Sequence, residues 1–303
     1  MDDQWDTDYC NPWCIERQQG WMVLNLRNFC RKTTGRKFSN EYAPISNFPM
    51  FLINRRLVMQ KILALWATPR STSTAFEWMM RMRGDFYCLH EPFGEPWYFG
   101  EDARWPRATS TTKRIEGVSF NKSWLEILKL AAERAVFMKD FPHYINHMWT
   151  DDFLENFQHS FLIRDPAKVT TSMYKHWPDF VLEETAIPEQ RQLFDRIADQ
   201  LGHAPIVIDS DDLLESPFAM VERYCDGLGI EYIESALSWQ PGDRQEVSWY
   251  DGGSWHQNLK GSIGLEAQPR SYVDISDAPN TVQEIYQSCL PHYQHMHQYR
   301  LAP

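Results

Sequence analysis

The segment ALWATPRSTSTAF, residues 64–76, constrains the fold of this chain more than any other feature. An apolar run with the composition of a buried strand passes through a loop rich in hydroxyl side chains and directly into a helical pattern. Because the first turn of a helix has unsatisfied N–H groups and a partial positive charge, this geometry attracts phosphate or sulfate. The loop supplies one cation and four hydroxyls, from Arg70, Ser71, Thr72, Ser73 and Thr74. The competing interpretation is an ordinary helix capped by Ser and Thr side chains.

The rest of the chain alternates apolar runs with helical patterns. The predicted strands are 62–67, 86–89, 135–139, 160–164 and 205–209, and the predicted helices are 74–83, 122–134, 167–176, 189–201, 218–228 and 281–299. Such alternation is typical of an α/β fold with a parallel sheet flanked by helices. Ligands bind at the carboxyl ends of the strands in such folds.

The first 58 residues show no clear period of 2 or 3.6, and they end in a proline-containing stretch. The pattern changes abruptly at residue 59, where the strand, loop and helix begin. We therefore predict an N-terminal extension over residues 1–58 and one functional domain over residues 59–303.

The formal net charge of −11 disfavours a general binder of nucleic acid or of anionic membranes, which would need a basic face. The chain has no apolar run of about 18 residues and no N-terminal apolar segment, so we expect neither a membrane span nor a secretory signal. Its six scattered cysteines fit neither a disulfide framework nor a paired zinc motif. We expect a cytoplasmic protein without a bound metal.

A second segment, FLIRDPAKVTTSMYKHWP at residues 161–178, ends a predicted strand with Arg164 and places Ser172 in the following helix. A guanidinium gives a forked grip on a phosphate, and a hydroxyl adds a donor. The competing interpretation pairs Arg164 with Asp165 or a neighbouring carboxylate and leaves Ser172 facing solvent.

Together the two segments resemble those of the PAPS-dependent sulfotransferases, a family with a P-loop-like fold (PAPS is 3'-phosphoadenosine 5'-phosphosulfate). The resemblance implies that the Arg70–Thr74 loop holds the 5'-phosphosulfate and that Arg164 and Ser172 hold the 3'-phosphate. The family often has Gly where this chain has Thr72, so a Thr fits only if φ is negative or strain is tolerated.

The segment CLHEPFG, residues 88–94, follows the second predicted strand. A carboxylate or an imidazole at this strand end can remove a proton from an acceptor. The resemblance implies Glu91 as the base, and His90 is the rival candidate. The structural alternative is that Glu91 caps a turn and His90 is a satisfied structural residue.

The segment FMKDFPHY, residues 137–144, resembles a family strand end in which a lysine approaches the bridging oxygen of the donor. Lys139 is the matching residue, and its structural alternative is a salt bridge with Asp140 or a solvated strand end. Many members carry a histidine base where this chain has Phe141, which favours Glu91 for that role. His143 is a candidate for lining the acceptor pocket.

Towards the C-terminus, residues 248–266 lie where the family has a loop that closes over the nucleotide. The resemblance makes Lys260, Gly261 and Ser262 candidates for contacts with the donor. Gly252 and Gly253 are either hinges of this lid or part of a turn.

These observations predict an enzyme that transfers a sulfuryl group from PAPS to a hydroxyl or amine of a small-molecule acceptor. The segments 93–113 and 179–188 are predicted to shape the acceptor pocket. Two alternatives are a P-loop kinase or hydrolase, which would need the Walker lysine that this loop lacks, and a nucleotide-binding module without turnover.

Overall fold

The computed structural model describes residues 14–18, 21–25, 62–242, 247, 257–266 and 273–303. The chain divides into two compact units, residues 1–60 and 61–303. In the first unit, β1 (Cys14–Gln18) pairs antiparallel with β2 (Trp21–Asn25). No element was predicted in this stretch, because two five-residue runs are too short for a clear alternation. The division into an extension and a functional domain stays a prediction.

The second unit contains a five-stranded sheet in which every neighbouring pair is parallel. Its strands are β3 (Ile62–Ala67), β4 (Tyr87–His90), β5 (Val136–Asp140), β6 (Phe157–Ile163) and β7 (Ile206–Asp209). The spatial order is β4-β5-β3-β6-β7, so β3 lies at the centre. All residues of β3 and β5 are buried, as expected of a sheet covered on both faces.

Helices connect these strands. The α-helices within the described ranges are α1 (Ser73–Arg83), α2 (Gly94–Phe99), α3 (Phe120–Glu133), α4 (Asp151–Leu154), α5 (Pro166–His176), α6 (Ile187–Leu201), α7 (Ser210–Glu215), α8 (Pro217–Leu228), α9 (Gln257–Lys260) and α10 (Asn280–His297). The predicted α/β class, a parallel sheet flanked by helices, is confirmed. None of the helices described is long and apolar enough to cross a bilayer.

Buried polar side chains join the sheet to the helices around it. The Trp66 indole donates a hydrogen bond of 2.9 Å to Nδ1 of His159. Gln190, on α6, donates from Nε2 to the carbonyls of Trp66 and Leu162, at 2.9 Å each. These two carbonyls lie near the carboxyl ends of β3 and β6, so one buried amide fixes α6 to both strands.

Because the strands are parallel, the segments that follow β3, β4, β5, β6 and β7 meet at one edge of the sheet. This edge carries the Arg70–Thr74 loop, Glu91 and Arg164, whereas Gly252 and Gly253 lie outside the described residues.

Candidate active site

The loop between β3 and α1 leaves the start of α1 without a side-chain cap. Thr72 occupies the N-cap position, but its hydroxyl lies 2.8 Å from that of Ser210 and makes no capping bond. Ser71 is fully buried and donates to the carbonyl of Thr68 at 2.7 Å. The side chains of Ser71 and Thr72 therefore fix the loop just before Ser73. The Thr72 side chain does not cap the first N–H groups of α1, so the positive end of the helix can still bind an anion.

Backbone strain concentrates at this edge of the sheet. Four non-glycine residues in the described part of the chain have positive φ, and three of them are candidate site residues: Arg70 (64°), Thr72 (72°) and Glu91 (44°). The fourth is Ala186. Left-handed backbone costs an L-residue about 1–2 kcal/mol, and such strain gathers at functional sites. Thr72 is thus accommodated by tolerated strain and not by a negative φ.

Arg70, Arg164 and Ser172 come together at the ends of β3 and β6. Nε of Arg70 donates to the Ser172 hydroxyl at 2.9 Å, and Nη1 of Arg164 donates to the Arg70 carbonyl at 2.5 Å. Arg164 is only 3% exposed. The Asp165 carboxylate caps α5 by accepting from the Ala167 N–H at 2.8 Å. The two predicted anion-binding elements therefore contact each other, and Ser172 does not face away into solvent.

Lys139 pairs with Glu91. Its ammonium is fully buried and lies 2.5 Å from Oε1 of Glu91. The neighbouring Asp140 instead accepts hydrogen bonds from the backbone N–H groups of Phe93 and Phe141, at 2.9 and 2.8 Å. Burial, reinforced by the nearby Glu91 charge, raises the pKa of Asp140 well above its usual value. The alternatives for Lys139, a bridge to Asp140 or a solvated strand end, are therefore wrong.

His90 lies between two carboxylates. Its Nδ1 is 2.6 Å from Oε2 of Glu77, and its Nε2 is 3.8 Å from Oε1 of Glu91. Glu77 is completely buried, and its other oxygen accepts from Arg81 at 2.6 Å. Burial alone would raise the pKa of Glu77, but His90 first, then Lys139 and Arg81, lower it to about 2. Glu77 is therefore ionised at neutral pH.

Glu77 was missed by the sequence analysis. Its one signal is a carboxylate inside the otherwise apolar helical run 75–80. A charged residue in such a place is almost always paired when it is buried. Glu77 therefore requires a cationic partner, which the sequence alone does not identify.

A cavity of about 350 Å³ opens beside these groups. Its lining includes Arg70, Ser73, Thr74, His90 and Glu91 on one side, and Trp97, Tyr98, Trp105, Phe141, His143, Tyr144 and Trp177 on the other. Both segments predicted to shape the acceptor pocket contribute to this lining. Burial lowers the pKa of His143 to about 3, so its imidazole is neutral. Nδ1 of His143 has no hydrogen-bond partner among the described residues.

Arg107 fastens one wall of this cavity to another. Nε and Nη2 of Arg107 bind the two oxygens of Glu184 at 2.6 Å each, and Nη1 binds the Asp179 carboxylate at 2.8 Å. The guanidinium also lies 4.5 Å from the ring centroid of Trp177. The segment before α3 is in this way joined to the segment before α6.

Lys260, Gly261 and Ser262 lie at the end of α9. The Ser262 hydroxyl donates to the Leu259 carbonyl at 2.7 Å and accepts from the Trp239 indole at 3.2 Å. The Lys260 carbonyl accepts from the Gly242 N–H at 2.8 Å. Ser262 thus has a structural task in the interior, and the donor contacts of all three residues stay a prediction.

The sequence matches the sulfotransferase domain family over residues 60–300, and the chain belongs to that family. The resemblance to the sulfotransferases is thereby confirmed.

Individual curated proteins resemble this chain at low sequence identity. The chain is 24% identical over 77% of its length to branched-chain-amino-acid aminotransferase-like protein 2 of Arabidopsis thaliana, and covers 41% of that protein. It is 26% identical to sulfotransferase ppzF of Metarhizium majus over 42% of its own length and 44% of the relative. The chain therefore spans less than half of the length of these relatives.

Two solved structures are similar in part. The sulfotransferase domain of the Synechococcus PCC 7002 olefin synthase covers 76% of this chain at 16% identity, with a TM-score of 0.43 over 94% of that domain. The sulfotransferase domain of the curacin biosynthetic pathway covers 75% at 13% identity, with a TM-score of 0.40 over 96% of that domain.

Proposed function

We propose that this protein transfers a sulfuryl group from PAPS to a hydroxyl or amine of a small organic acceptor. The observation that carries the proposal is the Arg70–Ser172 hydrogen bond, because it joins two anion-binding elements from distant parts of the sequence. A nucleotide with a phosphosulfate at one end and a 3'-phosphate at the other needs two such elements in one cleft.

The residues at this edge suit the donor substrate. The uncapped start of α1 offers N–H groups and a positive helix end to the phosphosulfate, and Arg70 adds a permanent cation. Arg164 and Ser172 would hold the 3'-phosphate and so distinguish PAPS from ATP. Lys260, Gly261 and Ser262 are further candidates for the donor site. No step in this assignment calls for a metal.

In the transfer itself, the acceptor oxygen or nitrogen attacks sulfur while the bond from sulfur to the phosphate oxygen breaks. Arg70 and Lys139 would stabilise the charge that builds on the sulfuryl oxygens and on the leaving phosphate. Glu91 and His90 both line the cavity, and one of them takes the proton of the acceptor.

The cavity sets the acceptor class. Its volume of about 350 Å³ and its aromatic walls suit a small organic molecule better than a long polyanion. A net charge of −11 also disfavours polyanionic acceptors.

Thermal unfolding with three nucleotides tests the donor assignment. Adenosine 3',5'-bisphosphate should raise the melting temperature, because a ligand at about 100 times its Kd stabilises by about 2.7 kcal/mol. Adenosine 5'-monophosphate lacks the 3'-phosphate and should have little effect. A larger shift from ATP with Mg²⁺ would instead support a kinase or hydrolase.

A panel of phenols, alcohols and amines with PAPS then tests turnover. We expect release of the bisphosphate that depends on the acceptor. Tight binding of the bisphosphate, without release for any acceptor, would indicate a binding module and contradict the proposal.

A further inference from the structure

We infer that Glu77 is a positioning residue that holds His90 as the base, and that Glu91 holds Lys139 and does not take the proton. This inference rests on the proposed sulfuryl transfer. It assigns separate tasks to the two carboxylates that flank one imidazole.

The hydrogen bond between Glu77 and His90 fixes the form of the ring. An ionised carboxylate can only accept, so the 2.6 Å contact requires the proton to be on Nδ1 of His90. In the neutral ring, Nε2 is then the acceptor. A buried carboxylate that sets the tautomer and orientation of a histidine base is a recurring device of proton transfer.

The rest of the geometry directs Nε2 towards the reaction. Nε2 of His90 lies on the side of Glu91, and both residues line the cavity with Ser73 and Thr74 at the start of α1. An acceptor hydroxyl in this cavity is therefore placed between the imidazole and the candidate phosphosulfate loop.

Glu91 is poorly suited to be the base. If it took the proton, it would no longer neutralise the ammonium of Lys139, which is fully buried and lies 2.5 Å away. A buried charge that loses its partner is far less stable than the intact pair. Keeping Glu91 ionised keeps Lys139 in position for the leaving oxygen.

The charges around His90 favour proton uptake during transfer. Glu77 also pairs with Arg81, and Glu91 pairs with Lys139, so each carboxylate has a cation besides the imidazole. When the oxygen–sulfur bond forms, the acceptor proton moves to Nε2 of His90. The electron pair of the broken sulfur–oxygen bond stays on the bisphosphate. The new imidazolium then lies between two carboxylates, which stabilise it.

The first test is Glu77→Gln, which keeps the size of the side chain and removes its charge. We expect kcat to fall about 10- to 100-fold, because part of the contribution of a general base is lost, with the donor KM almost unchanged. Asp85→Asn is the matched control, since it also removes the carboxylate partner of an α1 arginine, Arg83, but away from His90. An equal loss of kcat in both variants would overturn the inference.

A double-mutant cycle separates positioning from a structural role. His90→Ala should lower kcat by about 10²- to 10⁴-fold. Adding Glu77→Gln to His90→Ala should cost no further activity, because Glu77 acts through the imidazole. Losses that multiply in the double variant would show that Glu77 acts independently of His90.

Glu91→Gln tests the other half of the inference. Removing the partner of Lys139 should raise the donor KM and lower kcat together. A sharp fall in kcat with an unchanged donor KM would make Glu91 the base and overturn the assignment.

Nitrogen-15 NMR of the His90 ring in the wild-type protein requires neither turnover nor a folded variant. We expect Nδ1 to carry a proton and Nε2 to be unprotonated, as the contact with Glu77 implies. The opposite tautomer, or an imidazolium, would overturn the inference even if sulfuryl transfer is confirmed. If the ring is as expected but no acceptor is turned over, the proposed function fails and the assigned tautomer stands.

Discussion

The proposed donor side and the proposed acceptor wall of the cavity are built in different ways. The donor side, which comprises the Arg70–Thr74 loop, Arg164 and Ser172, follows directly from strand ends of the sheet and is held by hydrogen bonds. The acceptor wall, made of segments 94–119 and 177–189, depends on aromatic packing and on the Arg107 contacts. The sheet thus fixes the donor geometry, whereas the shape of the acceptor wall depends on how loop segments pack together.

One arginine on each side allows the difference to be tested. On the donor side, Arg164→Ala should weaken PAPS binding about 100-fold, because charge-assisted hydrogen bonds contribute about 1.5–3 kcal/mol each. ATP, which lacks the 3'-phosphate, should lose far less. Arg164→Lys keeps the positive charge but loses the forked guanidinium, so its PAPS affinity should lie between those of the wild type and Arg164→Ala. Isothermal titration of both nucleotides makes the comparison, and equal losses would contradict the 3'-phosphate assignment.

On the acceptor wall, Arg107→Ala should raise the acceptor KM about 10-fold. Without Arg107 the two segments are no longer joined, so acceptor binding must also order them, at an entropic cost. The donor Kd should not change. Arg134→Ala is the control, because Arg134 also lies over an aromatic ring, that of Tyr87, but lines neither side of the cavity. Steady-state kinetics with each substrate varied in turn distinguishes the two effects. A change in donor affinity would mean that the two sides are not independent.

His143, which lines the cavity outside these two segments, makes stability depend on pH. Its pKa is lowered to about 3 by burial, so the unfolded chain binds a proton more tightly than the folded one below about pH 6.5. The contribution of His143 to the free energy of unfolding is complete above that pH and is lost as the pH falls. Between pH 7.5 and pH 5 the wild type should lose about 2 kcal/mol more than His143→Phe, at about 1.4 kcal/mol per pH unit. Urea unfolding at both pH values measures this, and equal losses would exclude a dry environment for the ring.

Thr72→Gly should give the smallest effect. Glycine relieves the left-handed strain, by about 1 kcal/mol, while the bond to Ser210 is lost, at a similar cost. The melting temperature and donor Kd should therefore change little. Ser210→Ala loses only the bond and should be the less stable of the two. A loss of donor affinity above about 10-fold in Thr72→Gly would show that its hydroxyl contacts the donor directly.

The sequence predicts the strand and helix around the Arg70–Thr74 loop well because their signals are local. The predicted strand 62–67 has the same bounds as β3, and the predicted helix 74–83 begins one residue after α1 does. Strand, loop and helix follow one another without interruption, so this unit is visible in thirteen letters, while anion binding by its loop stays a prediction. The grouping of Ser172 with Arg164 came only from the family resemblance. The contact of Ser172 with Arg70 was not predicted, since nothing local links these two residues.

The partner of Lys139 shows why other contacts were not predicted. Asp140 is adjacent in sequence, but successive side chains of a strand point to opposite faces of the sheet. The pairing of β4 with β5 instead sets His90 opposite Lys139 and brings Glu91 next to it. Glu77 and the Arg107–Glu184 pair escape detection for the same reason, because each depends on segments that are brought together only by folding.

The amide of Gln190 has a consequence for how such a cavity can change. It binds the carbonyls of Trp66 and Leu162, just before the two chain segments that hold the proposed nucleotide, while its neighbour Glu189 lines the cavity. A shift of α6 that widened the cavity here would pull on the backbone leading into both proposed nucleotide-binding segments. A change in acceptor specificity is therefore easier to obtain by exchanging side chains on the facing segment around Trp97 and Trp105 than by moving α6.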